Sequence, residues 1–351
     1  MSEGTMGKEP EREEAVNEVV TWREALNWGK DVLLKAEIPD GRWDAEHLFR
    51  VVMNCDRTGL LLNGSEILSE EQKNRYRDLI EKRKSRVPLQ YLTGEQEFMG
   101  LPFYVNQDVL IPRQDTECLV ETVLKVLEEG CESAKASEGL EGAQEKSAGA
   151  EKTAEFGKIQ ILDLCTGSGC IGISIGKLAG KGQRQKEDAL KADIPKKDTP
   201  KGNALTESCR IEVVCSDISE KALEVAKRNA VRNGVEITWI ESNLFENITG
   251  KFHAIVSNPP YITGAEMEEL MPEVRLFEPK EALYGMEDGL YFYREITRQA
   301  PEYLEENGML FFEIGCRQGQ EVSGLMEQAG FQDIRIEKDL AGLDRIVYGR
   351  I

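Results

Sequence analysis

Asp163-Leu164-Cys165-Thr166-Gly167-Ser168-Gly169 ends the strand-like run Ile159–Leu164 and leads directly into the helical pattern Cys170–Leu178. A strand, a glycine turn and a helix in succession suit a nucleotide-type cofactor, because glycine allows a tight turn and close backbone approach by a ligand. Further strand-like runs follow at Ile211–Ser216, Val235–Ile240, Phe252–Val256, Met309–Ile314, Phe331–Glu337 and Arg345–Tyr348. Helical runs at Glu220–Arg232, Gly289–Glu305 and Gln318–Gln328 separate most of them. This alternation predicts an α/β fold with a doubly wound, largely parallel sheet. Ligands in such sheets sit at the C-terminal ends of the strands.

A cofactor loop of this kind is normally completed by an acidic residue at the end of the next strand, about 20 residues on, which holds ribose hydroxyls. Asp217 ends that strand but stands 50 residues beyond Gly167. The 28 residues Lys181–Ser208 are rich in Lys, Asp and Gln and read as an insert; without them the separation is 22. Asp217 also precedes a helix beginning near Ser219 and could cap it, which does not compete with ribose binding. No Gly-Lys-Ser/Thr follows the glycines, which argues against a P-loop. Gly167-x-Gly169-x-x-Gly172 keeps a nicotinamide dehydrogenase open, although no His, Lys or Tyr stands out as a hydride-transfer acid.

The second informative stretch is Val256-Ser257-Asn258-Pro259-Pro260-Tyr261. Two prolines cannot donate to a ladder and hold the residues before them extended, so the strand ends in a stiff loop. Alone, Asn-Pro-Pro reads better as a rigid strand exit with a capping Asn and a core Tyr. Its chemical use is more specific. The Asn258 side-chain carbonyl and the Pro259 main-chain carbonyl are two acceptors that can converge on one NH₂ group, and the Tyr261 ring offers a face for a planar amide or base. A dehydrogenase has no task for this loop; S-adenosylmethionine makes sense of both loops together.

Composition narrows the class. Hydrophobic residues at 40% and aromatics at 7% are ordinary globular values, so the chain can bury a core. A formal charge of −20 argues against a broad nucleic-acid footprint. The eight cysteines (Cys55, Cys118, Cys131, Cys165, Cys170, Cys209, Cys215, Cys316) form no Cys-x-x-Cys pair, and only His47 and His253 could add to them, so no metal site is expected. There is no membrane-length apolar run and no signal peptide, and the chain reads as cytoplasmic and reduced.

In chain order the expectation is an acidic disordered tail at 1–15, a helical domain at 16–87, a hairpin linker at 88–114 and a larger domain at 115–351. Flexible inserts are expected at about 130–157 and 181–208, where bulky apolar residues almost vanish. Lys82, Arg83, Lys84 and Arg86 read as cations at a helix C-terminus.

Five segments together carry a resemblance: Pro88-Leu89-Gln90-Tyr91-Leu92-Thr93-Gly94, Leu110-Ile111-Pro112-Arg113-Gln114-Asp115-Thr116-Glu117, the Asp163–Gly169 loop, Asn258-Pro259-Pro260-Tyr261 and Phe277-Glu278-Pro279. They resemble the bacterial protein-glutamine N-methyltransferases that modify peptide chain release factors. The resemblance implies a seven-stranded class I S-adenosylmethionine-dependent methyltransferase sheet with a small helical substrate-recognition domain before it. It implies methyl transfer from S-adenosylmethionine to the side-chain amide nitrogen of the Gln in a release factor's Gly-Gly-Gln loop. By motif position, Asp163 and Cys165, Thr166, Gly167, Ser168 and Gly169 belong to the cofactor's methionine end, Asp217 to its ribose and Leu244 to its adenine. Asn258 and Pro259 accept the target amide, Asn258 also borders the cofactor, and Pro260 and Tyr261 pack on the substrate. Release factors are the implied partner, with no stable nucleic-acid, membrane or metal partner. Two departures stand out: Cys165 replaces the family's usual Gly, and Asn243 a common Asp, for which weaker cofactor binding is expected. A methyltransferase for base amino groups, or a catalytically silent S-adenosylmethionine-binding module, are the competing readings.

Overall fold

The computed structural model of the chain describes residues 20–141, 157–179 and 209–351. The expected acidic tail, the second insert and the remainder of the first lie outside the described residues. The chain divides into two compact units, one ending at Thr93 and one beginning at Gly94.

The first unit is all helical, with α1 (Trp22–Lys35), α2 (Gly41–Met53), α3 (Arg57–Leu62), α4 (Glu70–Lys84) and α5 (Leu89–Thr93). Reciprocal capping boxes start α1 (Thr21 with Glu24) and α4 (Ser69 with Gln72), each satisfying two otherwise orphan N–H groups. Leu33, Leu48, Phe49, Tyr76 and Ile80 are fully buried, and each contributes on the order of 1.5–3 kcal/mol. The basic cluster is not uniformly a solvated helix end. Arg83 turns inward to a buried 2.7 Å ion pair with Asp44, and Arg86 donates to the carbonyls of Ala36 and Glu37.

The second unit begins with a hairpin, β1 (Glu95–Phe98) and β2 (Leu101–Tyr104). The single linker expected over 88–114 is therefore divided between the units. The hairpin does not hang free, because Phe98 and Phe103 are buried edge-to-face in the core of this unit. The helix α6 (Glu117–Glu141) runs into the first expected insert. The scarcity of apolar residues there argues against a core but not against a helix, since Glu, Ala and Lys are strong helix formers.

The seven-stranded sheet has the order β5-β4-β3-β6-β7-β9-β8. Its strands are β3 (Gly157–Leu164), β4 (Cys209–Asp217), β5 (Thr238–Glu241), β6 (Phe252–Ser257), β7 (Leu304–Glu313), β8 (Gln332–Lys338) and β9 (Asp344–Arg350). The strands β3 to β7 pair in parallel, and β9 runs against both its neighbours. Both faces are covered, so the strands alternate between two cores rather than between core and water. Ile161, Ala254, Val256 and Phe311 enter one cluster; Leu162, Leu164, Ile255 and Phe312 enter the other. The doubly wound expectation holds in detail, with shifted ends. The strand β7 starts at Leu304, inside the expected helix Gly289–Glu305, because Leu304 pairs with Phe252. The strand β5 starts at Thr238 rather than Val235, because Gly234 caps the preceding helix at φ 63°. Two short helices between the loop at 258–261 and β7, Gly264–Glu269 and Pro272–Phe277, extend the expected plan. Among the described residues no helix is long and apolar enough to cross a membrane.

The helix at residues 170–179 lies tight on the sheet because of Gly172. A Cβ there would stand 2.3 Å from Cys215 Sγ and 3.0 Å from Asp163 Oδ2. The third glycine thus serves helix packing. Gly172→Ala is expected to lower stability by about 1–3 kcal/mol, as overpacking does. Adding Cys215→Ala should restore part of that loss in the urea midpoint; strictly additive losses would show that the contact is not the cause.

Candidate functional site

At the sheet centre, β3 and β6 pair so that Leu164 is opposite Ser257, and β3 and β4 so that Leu164 is opposite Ser216. The chain order reverses between β3 and β6, which makes this the switch point where a crevice opens. The Cys165–Gly169 loop and the Asn258–Tyr261 loop therefore leave adjacent strands side by side. Ser257 Oγ donates to the Leu164 carbonyl at 2.9 Å, and the Thr166 N–H to the Ser216 carbonyl at 3.0 Å. A cavity of about 760 Å³ opens above them, within the range of small-molecule sites.

The glycine loop has one open face. Gly167 has φ 54° with nothing within 4 Å of a Cβ placed on it, so its backbone is bare toward the cavity. Gly169 has φ 80°, and a Cβ there would meet Ile173 at 2.8 Å. Cys165 holds φ 60°, a left-handed conformation that costs a residue with a Cβ roughly 1–2 kcal/mol. This explains why glycine suits the position. Its thiol is directed to Ser257, and burial pushes its pKa well up.

Asp163 lies beneath the loop, fully buried. Its Oδ2 accepts from Thr166 Oγ1 at 2.5 Å and the Gly172 N–H at 3.0 Å, while Oδ1 has no partner. Burial pushes its carboxyl up to about 7, against the pull of Thr166 and Gly172. Asp217 lines the cavity, its carboxylate accepting from the Gly167 N–H at 2.8 Å and the Ser219 N–H at 2.9 Å. Burial raises its pKa, and the backbone N–H groups of Ser219, Gly167 and Ile218 oppose that rise. A carboxylate has about four acceptor sites, more than these backbone groups fill, which leaves acceptor capacity for hydroxyl donors such as those of a ribose. An open glycine backbone beside a carboxylate with acceptor capacity to spare fits a ribose-bearing cofactor.

The adenine-side candidate Leu244 also lines the cavity, at φ 48°, with its carbonyl accepting from Ser242 Oγ at 2.7 Å. The side chain of Asn243 is engaged by Glu246 at 2.7 Å. Asn258 and Pro260 contribute to the wall, whereas Asp163, Gly169, Pro259 and Tyr261 do not line it. The Tyr261 backbone is clasped from outside. The Ile262 N–H donates to Leu283 O at 2.9 Å and the Gly285 N–H to Ile262 O at 2.8 Å, and a Cβ on Gly285 would meet Tyr261 Cα at 2.6 Å.

Several side chains that hold the site were not singled out from sequence. Glu278 is buried and accepts from the Ile111 N–H at 3.1 Å and Arg113 at 2.5 Å, tying the Ile-Pro-Arg segment to Phe-Glu-Pro. Arg113 and Thr116 line the cavity. Asn229 is fully buried; its amide bonds both backbone groups of Tyr104 and donates to the Ser168 carbonyl at 2.9 Å, joining the hairpin to the glycine loop. The only signal for Glu278, Arg113 and Thr116 was membership of the quoted segments, and Asn229 had none. Among the described residues no group of three or more His, Cys, Asp and Glu could hold a metal ion.

Residues 24–94 match the PrmC N-terminal domain family, and residues 202–283 the methyltransferase small domain family. The chain is similar to the release factor glutamine methyltransferase of Geobacter sulfurreducens, 36% identical over 95% of this chain and 98% of that protein. It is similar to that of Clostridium botulinum, 35% identical over 93% and 98%. The structure of a protein-(glutamine-N5) methyltransferase (release factor-specific) from Alicyclobacillus acidocaldarius aligns over 71% of this chain and 98% of its own, with 25% identity and a TM-score of 0.33.

Asp163 gives the glycine loop a measurable pH signature. Its pKa rises from 3.8 to about 7 on folding, so its stabilising contribution is complete below the unfolded value and is lost as pH rises through about 7. Asp163→Asn, which keeps an acceptor for Thr166 and Gly172, should flatten the fall in melting temperature between pH 4 and 8, a window bounded roughly by those pKa values. Parallel profiles for the two proteins would show that Asp163 is not the titrating group.

Proposed function

Because the chain belongs to the release factor glutamine methyltransferase family, we propose that it methylates the side-chain amide nitrogen of the Gln in the Gly-Gly-Gln loop of peptide chain release factors, with S-adenosylmethionine as donor. The observation that carries this reading is the pairing of Leu164 with Ser257, from which the glycine loop, Asn258 and Pro260 open toward one cavity. When bound, S-adenosylmethionine supplies an electrophilic sulfonium methyl group. Cys165 to Gly169 would hold its methionine end, with Asp163 stiffening the loop from below, while Asp217 takes the ribose hydroxyls and Leu244 borders the adenine.

The target amide is a poor nucleophile because its lone pair is conjugated with the carbonyl, so positioning and fixed dipoles must supply most of the rate. Asn258 Oδ1 and the Pro259 carbonyl are the acceptors for its two N–H groups. Occupying both turns the nitrogen face toward the cofactor side and disfavours rotation of the amide. Pro260, in the cavity wall, excludes water and provides an apolar surface for the planar group, and Tyr261 would reach that group only by moving toward the cavity. The proton leaves the nitrogen after the methyl has been transferred, so no strong base is needed beside Asn258. The helical unit ending at Thr93 is assigned to recognition of the release factor, and the formal charge of −20 disfavours an RNA substrate. Acting on translation factors, the protein would work in the cytoplasm.

The test is incubation with labelled S-adenosylmethionine and, separately, a release factor, its loop Gln-to-Ala variant and ribosomal RNA. Label is expected in the first alone. Label in RNA, or persisting in the variant factor, overturns the substrate; cofactor binding with no transfer to any of them favours a silent module. Asn258→Ala is expected to lower kcat on the order of 100-fold or more while cofactor affinity by calorimetry stays within about threefold, less than 1 kcal/mol. An equal loss of affinity would assign Asn258 to the cofactor instead.

A further inference from the structure

Asn258 must present its carbonyl, and not its NH₂, to the target amide. An Asn side chain is a fork with two ends of nearly equal size, and packing alone does not choose between them. The groups behind it make the choice. Asn258 Nδ2 donates to Thr116 Oγ1 at 3.4 Å. Thr116 is 2% exposed, and its own O–H is left to donate. The carboxyl of Glu313 is the acceptor near enough for the Thr116 hydroxyl and the Asn258 amide to favour its charged form. Glu313 is itself 2% exposed, and its Oε2 has no partner. It stands at the end of β7, one residue past the pairing of Ser257 with Phe312, directly beside the exit that leads to Asn258.

We infer that Glu313 and Thr116 are positioning residues that hold the Asn258 amide with its NH₂ inward and its carbonyl toward the substrate. An ionised carboxylate accepts and cannot donate, so it attracts the Asn258 NH₂ and the Thr116 O–H and repels the Asn258 carbonyl. The reversed orientation would set the Asn258 NH₂ against the NH₂ of the target and leave two buried donors unpaired. The role gives a physical reason for Thr116 in the Ile-Pro-Arg-x-Asp-Thr-Glu segment. It rests on the release factor reading and concerns the same site.

The arrangement makes the orientation dependent on pH. A protonated Glu313 could donate to the Asn258 carbonyl and accept the reversed amide. Burial pushes the Glu313 carboxyl up to about 7, opposed by Thr116, Arg345 and Asn258 and reinforced by Asp115. The other groups around it are Cys170, Tyr261 and Tyr293, the last donating to the Glu313 main-chain carbonyl at 2.9 Å. Arg345 comes from β9 and is shared with Asp339 at 2.9 Å and Asp115 at 3.2 Å. Activity should therefore fall as pH drops through about 7, where Glu313 takes up its proton.

The experiment measures kcat, KM and cofactor affinity on intact release factor for the wild type, Thr116→Val, Thr116→Ser and Glu313→Gln, from pH 5.5 to 9, a range chosen to span roughly the ionisation of a raised carboxyl. Thr116→Val should lower kcat about 10- to 100-fold, the scale of a misplaced reacting group, with cofactor affinity within about twofold, or 0.4 kcal/mol. Thr116→Ser, which keeps the hydroxyl, should stay within about threefold of wild type, near 0.7 kcal/mol. Glu313→Gln should lose the acidic limb of the kcat profile. Wild-type kcat in Thr116→Val, or an unchanged acidic limb in Glu313→Gln, would overturn the positioning role alone. Failure of the wild type to label the release factor would overturn the substrate reading and this role with it. Should Glu313→Gln not fold, the Val and Ser variants decide by themselves.

Discussion

Ser257 Oγ donates a 2.9 Å hydrogen bond to the Leu164 carbonyl, across two central strands paired in parallel up to their last residues. A parallel register at this position leaves both chain exits at one height on one edge of the sheet. Everything placed on Cys165–Gly169 and on Asn258–Tyr261 inherits that alignment. A slip of one residue would turn Asp163 and Leu164 to the opposite faces of the sheet. The two cores above and below the strands make such a slip costly, because Ile161 and Leu162 each fill a different one.

The loops themselves are held by buried polar groups rather than by their own contacts. Asp163 takes Thr166 and Gly172, Asn229 takes Ser168 and Tyr104, and Glu278 takes Ile111 and Arg113. A buried acceptor or donor left without its partner costs on the order of 1–3 kcal/mol, so each of these side chains constrains the backbone it binds. That is a rigid setting for the proposed reaction, whose nucleophile must be aimed rather than deprotonated.

The architecture was legible because its signals are local. Strand and helix alternate with distinct periods, glycines mark the turn at Gly167, and two prolines mark the exit at Pro259. Asp217 was legible only after the length between Lys181 and Ser208 had been set aside. The short helices at Gly264 and Pro272 carry start signals too, a Thr263-x-x-Glu266 box and a Pro at the first position. The extension of α6 to Glu141 reflects helix propensity in a segment whose composition had been read only for its inability to form a core.

By itself the sequence determined the doubly wound sheet, the two loops at its C-terminal edge and the chemical types they carry, because these follow from period, turn residues and spacing. The tertiary structure alone decided which side chains stand behind those loops. Asn229, Glu278 and Glu313 lie 61, 167 and 55 residues from Ser168, Ile111 and Asn258 in the chain, and no local pattern announces such partners. It also decided that Asp163 supports the loop from below the cavity wall, since burial and the direction of a carboxylate belong to the packed sheet and not to the motif.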